Sequence, residues 1–232
     1  MAFGQNSSSG RQFGANAKLY YVSIKQKDLP CPVFEFKRKK EGTEKEYEIV
    51  DNKAKFLSGN LIELKTKENK NKDQKVIKSV SAVFQDKDDV YFLTIHHDYL
   101  GWNILNSLCA LKTFEGIEIG LYQSKPKAGS TKTYASVAVR QDGNLVRGAF
   151  ENKDLPEVPK VVVGDTSVSD KTARTAFFIT HIEALSKAVK AAAPAGTPVK
   201  AGADGEESDG SGYTVTAEDG SASKGPDDDI PF

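Results

Sequence analysis

Two sets of residues in this chain have the types and spacing to do chemistry. The first is its ending, Asp227-Asp228-Asp229-Ile230-Pro231-Phe232. Phe232 offers a large apolar ring and the α-carboxylate on one residue. A partner with a small hydrophobic pocket rimmed by Arg or Lys can hold both. Pro231 restricts the backbone beside that ring, which lowers the entropy lost on docking. The aspartates attract a basic surface from a distance. The plainer alternative is a solvated acidic terminus, which is what charge runs usually are. The second set is aromatic residues beside Lys or Arg in strand-like text. Such residues stack on bases and neutralise phosphates.

The aromatic set follows from strand parity. In 116–123, Ile117, Ile119 and Leu121 share one face, so Tyr122 takes the other, with Lys125 following. In 133–140, Ala135, Val137 and Val139 share a face, leaving Tyr134 and Arg140 opposite, with Lys132 just ahead. In 33–38, Phe34, Phe36 and Arg38 share a face with Lys37 adjacent; two phenylalanines there fit either a core or a stacking surface. Tyr47, Tyr91 and Arg147 complete the candidates for DNA binding.

Other chemistries find less support. His96 and His97 are adjacent on a strand and point to opposite faces, so they do not chelate together. Cys31 and Cys109 lie in no CxxC or Cys/His cluster, and two free thiols fit a reducing compartment. The phosphate-loop pattern is absent near Gly164. We expect no enzyme activity, no catalytic residues, no metal and no cofactor.

Net charge is zero over 232 residues, but it is unevenly placed. Residues 191–232 hold Lys200 and Lys224 against nine acidic residues, a charge of −7; the other 190 residues hold 30 basic and 23 acidic side chains, or +7. A basic body with an acidic tail suits a nucleic-acid binder whose tail competes for the basic groove. No apolar run approaches the ~18 residues of a membrane span, and MAFGQNSSSG lacks the apolar core of a secretory signal.

The elements that must position these residues read as follows. Residues 1–16 are a flexible arm, 17–190 one domain, and 191–232 a disordered acidic tail ending in the docking tip 227–232. Strands are expected at 19–24 and 33–38. A long strand, or two, covers 47–65 with a bend at Ser58-Gly59. A lysine-rich loop at 66–75 leads to strands at 76–84 and 90–97. Asp98 caps a helix over 99–112, carried by Leu100, Ile104, Leu105, Leu108 and Leu111. Strands at 116–123 and 133–140 follow, then a tight turn at 141–144 with 145–150 pairing back, a short strand at 161–163, and a helix near 172–190.

This order is mainly β, with one helix between the third and fourth strands of a small Greek-key barrel, which is the OB-fold. The six-residue ending resembles the tip of bacterial single-stranded DNA-binding proteins, and the strand order is similar to their OB-fold. The extra N-terminal strands and the C-terminal helix look more like the decorated single-OB forms of bacteriophages. The resemblance implies a sequence-nonspecific protein that coats single-stranded DNA in replication, recombination or repair. Its tip would recruit polymerase, helicase or nuclease. It implies a monomer or dimer rather than a tetramer, in a bacterial cytoplasm and off the membrane. An RNA-binding or RNA-chaperone OB protein, or a nuclease with a borrowed tip, are the alternatives.

Overall fold

The computed structural model describes residues 17–26, 31–43, 46–70, 76–123, 134–163 and 166–192. In chain order the elements are β1 (Lys18–Lys25), β2 (Val33–Lys39), β3 (Tyr47–Ala54), β4 (Phe56–Lys70), β5 (Val76–Asp86), β6 (Asp89–His96), α1 (Tyr99–Cys109), β7 (Ile117–Gln123), β8 (Ala135–Gln141), β9 (Asn144–Leu145), β10 (Lys160–Val163), β11 (Thr166–Ser169) and α2 (Thr172–Ala192). The chain is mainly β, and nine strands form one sheet in the order β3-β2-β1-β6-β5-β4-β7-β8-β9. Only β1 and β6 run parallel; the other neighbours are antiparallel.

β4 is the hinge of this sheet. Phe56–Gly59 pairs with β7, and Asn60–Lys70 pairs with β5. Gly59 sits at the changeover with φ +154, and a Cβ there would lie 3.0 Å from the Gln85 carbonyl oxygen. A bulge follows between Leu61 and Glu63. The strand expected over 47–65 breaks at Lys55 rather than at Ser58-Gly59, where β4 runs on and changes partner.

The sheet stays open, which corrects the expected barrel closure. The outer edge of β6 is occupied by β1 through Lys18↔Asp89 to Val22↔Leu93, so β6 cannot also pair with β8. β3 and β9 are the two edges among the described residues. Three boundaries also differ from expectation. β4 runs on to Lys70 through part of the lysine-rich stretch, α1 ends at Cys109, and β9 is only Asn144–Leu145.

One face of the sheet carries the core. Phe34, Leu64, Phe84, Leu93, Ile95 and Ile119 lie fully buried there with Ile104, Leu105 and Leu108 of α1 and Phe178 and Ile182 of α2. Each such side chain contributes about 1.5–3 kcal/mol by leaving water. The Asp98 carboxylate accepts from the Gly101 N–H at 2.8 Å and caps α1. Helix and strand meet so closely there that a Cβ on Gly101 would lie 1.8 Å from the His96 carbonyl oxygen. On α2 the buried stripe is Phe178, Ile182 and Val189, and the Ser186 hydroxyl donates to the Leu64 carbonyl. β10 and β11 form a separate exposed hairpin. Among the described residues, no helix is long and apolar enough to cross a membrane.

His97 is expected to make the fold less stable in acid. Its ring is half-buried and both ring nitrogens lack a hydrogen-bond partner among the described residues. Burial pulls its pKa below the ordinary histidine value, against the opposing pull of Asp98. The unfolded chain therefore binds the proton more readily. This contribution to stability is complete above the ordinary value of about 6.5 and is lost as pH falls through the lower folded value. The expected result is a Tm that drops from neutral pH toward pH ~5, with a shallower drop in His97→Gln. Equal slopes in the two proteins count against it.

Candidate nucleic-acid interface

The register of the sheet decides which aromatics face away from the core. Tyr21 of β1 stands opposite Lys37 of β2 and Phe92 of β6, while Tyr20 and Val22 point to the core side with Tyr91 and Leu93. Tyr47 lies one strand further, opposite Lys39. The rings of Tyr21 and Phe92 stack at 5.4 Å and 19°, and Tyr47 meets Tyr21 edge-on at 5.0 Å. Tyr21 is 38 % exposed and Tyr47 44 %, whereas Phe92 is buried beneath them. Burial, then the neighbouring Tyr47, raises the Tyr21 pKa, so its hydroxyl stays neutral and able to donate.

Cations adjoin this aromatic group on β1 and β2, and others lie further along the face on β4. Glu35 Oε1 bridges Lys37 at 3.2 Å and Lys25 at 3.5 Å. Lys65 pairs with Glu63 at 3.4 Å on the same face of β4. Burial and then the Lys65 charge lower the pKa of Lys67, two residues on. These pairs hold the long side chains in place, and a phosphate can replace the carboxylate as partner.

A second aromatic group lies on the same face across β4, β7 and β8. Phe56 is 48 % exposed and meets Tyr122 edge-on at 5.9 Å. The Tyr122 ring lies over Gly120, where a Cβ would come within 2.5 Å of the phenol oxygen. Arg140 Nη1 donates to the Tyr122 hydroxyl and to Glu118 Oε1 at 3.1 Å, and its guanidinium is 5.6 Å from the Tyr122 ring centre. Both contacts, the Tyr122 hydroxyl first, raise the Arg140 pKa further.

No family model, curated protein or solved structure matches this chain. The candidate interface rests on its own geometry. Among the described residues no group of three or more His, Cys, Asp or Glu could hold a metal ion.

The residues expected from sequence divide between the two sheet faces. Tyr122, Arg140 and Tyr47 stand on the face away from the core, and Lys37 stands with Tyr21. Tyr134, just ahead of β8, is 37 % exposed, and Arg147 is exposed beyond β9. Lys125 and Lys132 lie outside the described residues. Phe34 is corrected: it is 0 % exposed and belongs to the core. Phe36 and Tyr91 are corrected with it, because they pack together at 5.8 Å on the core side, half-buried. Tyr91 also stacks on Tyr20 at 5.3 Å, and burial, helped by Asp89, pushes its pKa up to about 12. Arg38 shares that parity at the strand's exposed end and is engaged by Glu48 at 2.7 Å. The physical reason is common to Phe34, Phe36 and Arg38 of β2. Alternation says which residues of β2 travel together, and the seating of β1 on β6 decides which set faces inward.

Sequence reasoning missed Tyr21, Phe92 and Phe56. A signal existed for the first. Tyr20 and Tyr21 are adjacent on a strand, so one of them must face away from whatever the other is buried in.

Proposed function

We propose that the protein binds single-stranded DNA without strict sequence dependence, coats it during replication, recombination or repair, and recruits partner enzymes through its ending. It is not itself an enzyme in this reading. The observation that carries the proposal is the exposed pair Tyr21 and Tyr47 over Phe92, beside Lys25 and Lys37, on the sheet face opposite the main core. Flat aromatic faces between cations suit unpaired bases and their phosphates.

The strands from β4 to β8 are read as an OB-type unit. Their order β4-β5-β6-α1-β7-β8, with β4 shared between β5 and β7, supports this. β1, β2 and β3 widen the same face. The closing strand pair of a barrel is replaced by the parallel β1–β6 pair.

The test is a titration of fluorescent oligo-dT in a salt series beside duplex DNA and oligo-rU. Single strands are expected to bind more tightly than duplex, since stacking needs free base faces. The affinity is expected to fall linearly with log salt as phosphates exchange partners. Equal affinity for duplex removes the stacking model, a flat salt response removes the electrostatic one, and a preference for oligo-rU moves the assignment to RNA.

A further inference from the structure

Beside Tyr122, on the same face, a cleft of about 340 Å3 opens where β4 bends. Ser58, Asn60, Gln85, Asp86, Glu118 and Arg140 line it; at Gly143, φ +81, a Cβ would meet nothing within 4 Å, whereas the Asp142 carboxylate fills the space beside Gly116. The polar groups are not interchangeable. Asn60 Oδ1 accepts from the Gly116 N–H at 3.0 Å, which leaves its amide NH2 as donor. Gln85 Nε2 donates to the Lys87 carbonyl at 3.0 Å, which leaves its oxygen as acceptor. Glu118 and Arg140 are cross-strand partners, carboxylate beside guanidinium.

We propose that this cleft is a subsite for one unstacked guanine of the bound strand, seated beside Tyr122. The inference rests on the reading above that this face binds single strands. Guanine is the base that places two donors, N1–H and the N2 amine, side by side for a carboxylate, and next to them two acceptors, O6 and N7, for a guanidinium. Glu118 and Arg140 offer the complementary groups in the same sequence, so both can engage one base while staying in contact with each other. Adenine and cytosine put an acceptor next to their amine, facing the carboxylate, and thymine flanks its single N–H with two carbonyls. The open rim at Gly143 admits the base edge, and the Tyr122 ring, held against the lining Arg140, borders the cleft as a stacking face.

The experiment uses the full chain and fluorescent oligo-dT in which one position, moved along the strand, is dG, dA, deoxyinosine or 7-deaza-dG. A single dG is expected to tighten binding about tenfold over all-dT at its best position, the gain of one good bidentate contact. Deoxyinosine lacks the N2 amine and loses most of that gain; 7-deaza-dG lacks N7 and loses part. Glu118→Gln, with its fold checked by an unchanged Tm, is expected to bring the dG-to-dT ratio close to one. A dG that binds no better than dA or deoxyinosine at every position overturns the proposal, as does a Glu118→Gln protein that keeps the preference. A separate titration with dGMP against dAMP, followed at the Gly116 and Gly143 amides, distinguishes the two readings. Failure of oligo-dT to bind with a dGMP-specific response removes the coating role and leaves the guanine subsite. No binding of oligo-dT together with no response to dGMP removes both.

Discussion

Tyr21→Ala and Tyr47→Ala are each expected to weaken oligo-dT binding by about 1–3 kcal/mol, the measured range for losing one base-stacking aromatic. Their folds are expected to change little. Both rings stand on the sheet face opposite the main core, and the core packing of Phe34, Leu93 and Ile95 lies on the other side of the backbone. Phe34→Ala is the internal contrast. It empties a fully buried site and is expected to cost about 3–5 kcal/mol of stability, read as a large drop in Tm or denaturant midpoint. Whatever binding that variant loses should scale with its unfolded fraction. The pairing of results is diagnostic. If Tyr21→Ala unfolds the protein and Phe34→Ala weakens binding in a folded one, the two faces have been assigned the wrong way round. If Tyr21→Ala and Tyr47→Ala change neither fold nor affinity, the strand does not run over this aromatic group.

That contrast marks the limit of what the chain's text discloses. The strands from β4 to β8 and the helix between them were legible because their apolar residues alternate cleanly and turn signals separate them, as at Asp142-Gly143, both with positive φ. The face of Tyr122 and Arg140 was legible for the same reason, since Ile117, Ile119 and Leu121 leave no doubt about the inward set. VFEFKR alternates just as well, yet both of its faces hold something a sheet can use. Phe34 and Phe36 look as much like stacking rings as core, and only the long-range pairing of β1 with β6 settles it. LYYVSI has no polar alternation at all, so Tyr21 could not be told from Tyr20 by pattern.

Local composition misleads in the lysine-rich stretch after Lys65. Five residues there extend β4, pairing Thr66↔Val80 through Lys70↔Val76, although their side chains read as loop. The ladder is backbone chemistry, and it pairs Lys65 with buried Ser81 and Lys67 with buried Ser79 without needing an apolar side chain on β4. β11, TSVS, is polar and wholly exposed, and it is a strand only because β10 offers an edge to it. Barrel closure fails for a reason of the same kind. Nothing in β6 forbids a partner on its outer edge; an N-terminal strand outside the five-strand pattern takes that edge first.

Phe232→Ala is expected to abolish capture of the partner enzymes, polymerase, helicase or nuclease, while leaving oligo-dT affinity where it was. The ending lies outside the described residues, so the argument is chemical. The ring and the α-carboxylate are the two groups a small basic-rimmed pocket can grip, and removing the ring forfeits the apolar half of the contact without changing any charge. Deleting Asp227–Phe232 changes charge as well, taking the side-chain charge of residues 191–232 from −7 to −4. If that tail competes with DNA for the basic body, the deletion tightens oligo-dT binding at low salt, and the gain vanishes as salt screens it. The two variants therefore separate two effects that a single truncation confounds. Loss of capture in both with tighter DNA binding in the deletion alone means docking by the ring and competition by the aspartates. Loss of capture in the deletion but not in Phe232→Ala, measured with the purified enzymes on immobilised full-length protein, means that charge alone attracts the partner. The ending is then a solvated acidic terminus, and the single-strand assignment stands on Tyr21, Tyr47 and their lysines without it.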